Sequence, residues 1–216
     1  MQSGPENSPG SAGSTPQHWD EVYGAKAEDA VSWFQQEART SLQLLDELAA
    51  PGSASVVDVG GGASRLVDAL LARGHDDVTV LDISQQGLTT ARQRLGVDAS
   101  RVSWVVADVT RWRPSRTFDV WHDRAVLHFL TAADDVARYR EVVDEAVSAD
   151  GLLVIATFAP DGPRTCSGLP VQRYDARALA EVFAPRWTLV RQLRQVHSTP
   201  WGAEQPFTWV ALRRAS

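Results

Sequence analysis

The chain has 216 residues, 44% of them hydrophobic and 22% charged, with a formal net charge of −6. That supports one globular domain with a full core, and its acidic balance argues against broad nonspecific binding to nucleic acid. The single cysteine, Cys166, leaves no intrachain disulfide and fits a reducing compartment, and no stretch approaches the roughly 18 apolar residues of a membrane span, so a cytoplasmic protein is expected.

Residues 1–16 are rich in Gly, Ser and Pro, have no apolar period and lack the basic start and apolar core of a signal peptide. They read as a disordered tail ahead of one domain over 17–216. Next come Trp19, Tyr23, Trp33 and Phe34, too aromatic for a spacer. They suggest a segment, 17–36, that folds over the site as a lid, where aromatic faces could bound a cation and exclude water. The competing reading has the same rings stapling an N-terminal helix to the core.

Beyond this segment strands and helices alternate, the pattern of a parallel sheet flanked on both faces. Strands are expected near 55–60, 78–82, 102–107, 118–122, 151–158, 187–196 and 206–213, and helices near 37–49, 63–73, 85–95, 133–148 and 175–183. Only the loop from His197 to Gln205 joins the last two strands, too short for a crossover, so they should form an antiparallel hairpin. Arg111 to Arg116 mixes cations with an aromatic but reads as a solvated loop.

The most informative stretch is Val56-Val57-Asp58-Val59-Gly60-Gly61-Gly62, an apolar strand running into three glycines and then a helical pattern. Glycines at the carboxyl end of a parallel strand let the backbone take positive φ and approach a ligand closely. Asp82 ends the second strand 24 residues after Asp58, where a carboxylate would accept both hydroxyls of an adenosine ribose. Asp108 and Val109 end the third and could read an adenine amino group and ring nitrogen. A dinucleotide fingerprint would need glycine where Arg65 stands, and there is no Walker lysine. The set describes an S-adenosylmethionine pocket formed by Asp58, Gly60, Gly61, Gly62, Asp82, Ile83, Asp108 and Val109.

These motifs resemble those of the class I S-adenosylmethionine-dependent methyltransferases. The likeness runs from about Trp19 to the C-terminus and includes Leu81-Asp82-Ile83-Ser84, Ala107-Asp108-Val109 and Phe118-Asp119-Val120-Trp121-His122-Asp123. It implies a Rossmann-like, doubly wound, seven-stranded, mostly parallel sheet of order 3-2-1-4-5-7-6 with the last strand antiparallel. More narrowly, His18 to Tyr23, Trp33-Phe34 and Asp123 to His128 are similar to the branch with elongation-factor and citrate-synthase lysine methyltransferases and their bacterial relatives.

Methyl transfer is an in-line displacement that needs positioning and a water-poor site, with no obligatory metal or covalent intermediate. Trp19, Tyr23 and Trp33 are candidate cofactor contacts, Tyr23 through its hydroxyl. Backbone at His122 could hold the methionyl amino group. Asp123 could bind that ammonium or the acceptor, although it and Arg124 could instead pair or cap the next helix. Asp123, His122, His128 and His197 are the candidate reacting groups, with His128 also readable as half-buried structure.

Arg124, Phe158, Cys166 and Trp201 complete an expected acceptor wall with the Pro/Gly-bounded loop up to Pro170. Cys166 has no activating partner in the sequence and reads first as an apolar filler, and Trp201 reads equally as an ordinary loop residue. The segment after the fourth strand lacks the Pro-Pro-Tyr-type motif, the Pro-Cys nucleophile and the two-glutamate loop of other methyltransferase groups, and Asn7 is the sole asparagine, which leaves a catechol-type metal site unsupported. The expectation is a monomeric or weakly dimeric enzyme with a small-molecule N, S or O acceptor. A protein lysine, a noncatalytic S-adenosylmethionine-binding protein and a nicotinamide-dependent oxidoreductase are the alternatives.

Overall fold

The computed structural model describes residues 14–48 and 52–215; the proposed tail therefore lies outside the described residues up to position 13. Its last three residues, 14–16, are described and lead into the first helix. Thr15 caps helix α1 (Pro16–Ala25) by accepting from the His18 N–H, and Pro16 occupies the first turn, where its missing N–H costs nothing.

A short 3-10 turn, Glu28–Ala30, leads to α2 (Arg39–Glu47). The alternating portion follows as β1 (Val56–Val59), α3 (Leu66–Ala72), β2 (Val78–Asp82), α4 (Gln85–Leu95), β3 (Val102–Val106), β4 (Phe118–Arg124), α5 (Ala133–Ala146) and β5 (Val147–Phe158). The loop beyond β5 carries a two-stranded ribbon, β6 (Thr165–Cys166) and β7 (Leu169–Pro170), which the sequence did not reveal. Helix α6 (Ala176–Glu181) precedes the long hairpin of β8 (Trp187–Ser198) and β9 (Glu204–Arg214).

Seven strands form one sheet in the order β3-β2-β1-β4-β5-β9-β8. With the small ribbon set aside this is the expected order, and β9 lies antiparallel between β5 and β8. Strands β1 and β2 are buried along their whole length because helices cover both faces, hence their unbroken apolar runs. Val56, Val80, Leu70 and Trp209 belong to the core on one face, and Val57, Trp121, Tyr139 and Phe183 to the core on the other.

Register places the site. Val59 pairs with Leu81 on one side and with Asp123 on the other, and Asp82 pairs with Val106. The residues just beyond, Gly60, Ile83, Ala107 and Arg124, therefore share one edge of the sheet at the carboxyl ends of the parallel strands.

Candidate functional site

The glycine turn is dictated by space as well as by backbone angle. Gly60 and Gly62 have φ of +69° and +42°. A Cβ on Gly60 would strike Val126, one on Gly61 would lie 2.5 Å from Val80 Cγ1, and one on Gly62 would strike the Tyr23 hydroxyl. The turn borders a cavity of about 1030 Å³, counting its open mouth, whose lining includes Gly60, Leu81, Asp82, Ile83, Ala107, Asp108 and Val109. Gly61 instead lines a smaller neighbouring hollow with Asp58, Ser41 and Arg65.

Asp82 and Asp108 face the same cavity but differ in charge environment. Asp82 is buried, which pushes its carboxyl up to about 7 against the opposing N–H groups of Ser84 and Gly62; nearby Asp58 and Asp20 raise it further. Its Oδ1 accepts from the Ser84 N–H at 2.7 Å. Asp108 holds the following turn with Oδ1, which accepts from the Thr110 N–H and hydroxyl at 2.9 and 2.8 Å. Its other oxygen lies 3.9 Å from Arg111 Nε.

The N-terminal segment roofs this cavity. Trp19, Tyr23 and Trp33 all line it, and Trp19 stacks edge-on against both Trp33 and Phe129, 5.9 and 5.0 Å between ring centroids. These rings are thus both wall and staple. Asp20 fastens α1 to the start of α4, accepting from the Ser84 hydroxyl at 2.6 Å and the Gln86 N–H at 3.0 Å. Glu28 is clasped by Arg65 and Arg94 at 2.7 and 3.0 Å. Burial and the Asp82 charge raise the Tyr23 hydroxyl pKa well above the ordinary tyrosine value, so it remains a proton donor.

Several expected site groups turn out to be braces. His122 lies inside β4, its Nδ1 2.7 Å from Asp58 Oδ1 and its Nε2 2.9 Å from the Ser41 hydroxyl of α2. Both ring nitrogens are committed, so the side chain does not serve as a free base, although it borders the smaller hollow. Asp58 keeps one oxygen, Oδ2, buried without a partner among the described residues.

Asp123, an expected substrate or catalytic group, lies inside the protein and lines none of the cavities described above. Its fully buried carboxylate accepts from the N–H groups of Val126 and Leu127 and from the Tyr139 hydroxyl at 2.6 Å, capping the turn after β4. Burial raises it to about 6 despite these bonds. The turn it holds includes Ala125 at φ +78°, a strained angle for a residue with a Cβ.

Arg124 and Cys166, expected in the acceptor wall, reach the large cavity, and Arg124 also lines the smaller hollow. Burial raises the Cys166 thiol, and nearby Arg124 only partly offsets this, so the thiol stays neutral. His128 does not reach a cavity. It is enclosed between Phe129 and Phe158, and burial, with the charge of Arg124, lowers it to about 3, which removes it as a base at neutral pH.

Phe158 is likewise core, packed on Phe207 with ring centroids 4.9 Å apart, not acceptor wall. His197 Nε2 lies 2.8 Å from the Ser32 carbonyl and the residue borders a shallow outer groove. Trp201, expected in the acceptor wall, is 61% exposed at the hairpin turn and borders none of these three hollows.

Other lining residues were not expected from the sequence. Ser14 borders the cavity from the supposed tail, its hydroxyl accepting from Trp19 Nε1 at 3.1 Å. Phe129, Leu130, Asp135 and Arg138 come from the turn after β4 and the start of α5. Phe129-Leu130 follows the fourth motif directly, and an apolar pair there was the available cue.

Residues 56–148 match the family model described as a methyltransferase domain. Nodulation protein S of Sinorhizobium fredii (strain NBRC 101917 / NGR234) is 30% identical over 115 residues, 53% of this chain and 50% of that protein. The Rhizobium fredii protein of the same name is 32% identical over 87 residues, 40% of this chain and 47% of that one. The chain thus spans about half the length of the curated relatives it matches.

Among solved structures, the N-methyltransferase NodS from Bradyrhizobium japonicum WM9 with S-adenosyl-L-homocysteine superposes with TM-score 0.68 at 16% identity, covering 91% of this chain and 98% of that one. The Burkholderia thailandensis 1,6-didemethyltoxoflavin-N1-methyltransferase, with 1,6-didemethyltoxoflavin and S-adenosylhomocysteine bound, gives 0.66 at 23% over 93% and 84%. The strand order, the glycine turn after β1 and these superpositions give the chain the Rossmann-like methyltransferase fold, with a methyltransferase-domain match over residues 56–148.

Proposed function

We propose that the protein is an S-adenosylmethionine-dependent methyltransferase with a small-molecule acceptor. One observation carries this reading: the Gly60 turn, Asp82 and Asp108 line one cavity whose far wall is Arg124 and Cys166. The fit to the cofactor is local. Asp82 would accept the ribose hydroxyls, Asp108 the adenine amino group, and the orphaned Asp58 Oδ2 the methionyl ammonium, a charge-assisted bond for an otherwise unsatisfied oxygen. Bound there, the cofactor supplies a methyl group on a sulfonium.

The chain's own contribution is placement and drying. Gly60 to Gly62 let the backbone approach, Tyr23 closes over Gly62 beside Asp82, and Trp19 and Trp33 exclude water and offer π faces to positive charge. None of His122, Asp123 and His128 is a free base, so an amine acceptor would enter neutral and release its proton to solvent after transfer.

A small acceptor is favoured by the enclosed wall and by relatives named as N-methyltransferases, one holding a small heterocycle. The alternative, a protein lysine acceptor, rests on the motif likeness in His18–Tyr23 and Asp123–His128. Incubation with methyl-labelled S-adenosylmethionine and a fractionated lysate separates them. Label in the small-molecule fraction supports the reading; label only on protein favours lysine, and no label despite cofactor binding marks a noncatalytic binder.

A further inference from the structure

The acceptor side of the cavity holds a cation that the protein leaves half used. Arg124 ends β4 and turns toward β9, with Cζ 4.7 Å from the centre of the Phe207 ring. Its Nη1 donates to the Trp33 carbonyl at 3.1 Å. Its Nε and Nη2 are closed off from solvent and meet no acceptor among the described residues. These two nitrogens share one edge of the planar guanidinium, the edge that takes both oxygens of a carboxylate side by side. A buried, unpaired fork is costly unless an anion arrives to fill it.

Asp58 is the carboxylate that acts on Arg124 from nearby, but it makes no hydrogen bond to these two nitrogens among the described residues. Cys166 is a neutral thiol, both nitrogens of His128 are unpartnered, and the charge of Arg124 helps to lower His128 and His197. Cys166 lies in the ribbon after β5, His197 in β8 and Phe207 in β9, whereas Asp82 and Asp108 end β2 and follow β3. Arg124 borders both the large cavity and the smaller hollow of Asp58, Gly60 and Gly61, so its fork stands between the glycine turn and the side of the cavity formed by Cys166.

We propose that Arg124 anchors a carboxylate of the methyl acceptor, so the site takes small carboxylic acids bearing a nucleophilic nitrogen, oxygen or sulfur. This rests on the methyltransferase reading above. The Nη1–Trp33 bond and the 2.8 Å contact from His197 Nε2 to the Ser32 carbonyl hold the Ser32–Trp33 stretch beside the guanidinium.

The test is calorimetric titration of the full chain, saturated with S-adenosylhomocysteine, with benzoate and phenylacetate and with their carboxamides. At least one acid should bind at least about tenfold more tightly than its amide. Arg124→Lys, which keeps the charge and loses the fork, should remove about that tenfold while S-adenosylhomocysteine affinity stays within about threefold.

Equal binding of acid and amide, or no binding of either acid, overturns the proposal. So does a variant that loses S-adenosylhomocysteine but keeps 5′-methylthioadenosine, which lacks the amino-acid end, since Arg124 would then hold the cofactor's carboxylate. If Arg124→Lys does not fold, the acid-to-amide ratio of the wild type decides alone. Failure of the wild type to bind S-adenosylhomocysteine would instead remove the methyltransferase reading.

Discussion

At the scale of single residues, the site is governed by burial acting on carboxylates of different duty. Asp82 is raised from an ordinary 3.8 to about 7, so its contribution to folding is fully present below the unfolded value and is lost as pH rises through about 7. Asp82→Asn should therefore stabilise the ligand-free protein more at about pH 8 than at about pH 4, read as the shift in urea midpoint at each pH. An equal shift at both would show that Asp82 is not desolvated.

Asp123 has the opposite use, as a structural cap. Tyr139→Phe removes a hydroxyl that donates to Asp123 and accepts from Trp121 Nε1 at 2.9 Å. It should cost about 1–3 kcal/mol in urea denaturation, because two buried groups lose a partner. A loss within error would mean that the bonds to Val126 and Leu127 suffice.

At the scale of elements, the parallel strands were legible because continuous apolar runs and glycine turns are local signals. The start of β5 was not. It begins at Val147, four residues before the apolar run at Gly151, because Val147 pairs with Phe118 across a register shift. The β6–β7 ribbon escaped because two-residue strands have no period.

Site residues divide in the same way. Gly60, Asp82, Asp108 and Arg124, which reach the cavity, follow from their place at or just past the end of a strand, whereas Asp123 and His128 point into the protein, and strand position alone does not distinguish a residue aimed at a cavity from one aimed at a turn. The aromatic segment is both staple and roof, and its polar fastenings through Asp20 and Glu28 are long-range contacts with no local pattern. Hydrogen exchange should show amides between Trp19 and Phe34 gaining protection when S-adenosylhomocysteine binds. Unchanged protection there would mean that the segment is only a staple.

At the scale of the whole molecule, one edge of the sheet gathers everything the chemistry needs, and the rest of the chain fixes that edge. β2 and β3 bring Asp82 and Asp108, which the proposal gives to the nucleoside, β1 brings the glycine turn, and β4 with the ribbon after β5 brings Arg124 and Cys166, the proposed acceptor wall. No described helix is long and apolar enough to cross a membrane. The central claim, that this edge is built for S-adenosylmethionine, is tested most directly by calorimetric titration of S-adenosylhomocysteine into the wild type and Asp82→Ala. The account predicts wild-type binding and a loss of about 10- to 150-fold in the variant, the worth of charge-assisted bonds of roughly 1.5–3 kcal/mol. Unchanged affinity in a folded Asp82→Ala protein, or tighter binding of a nicotinamide dinucleotide by the wild type, would contradict it.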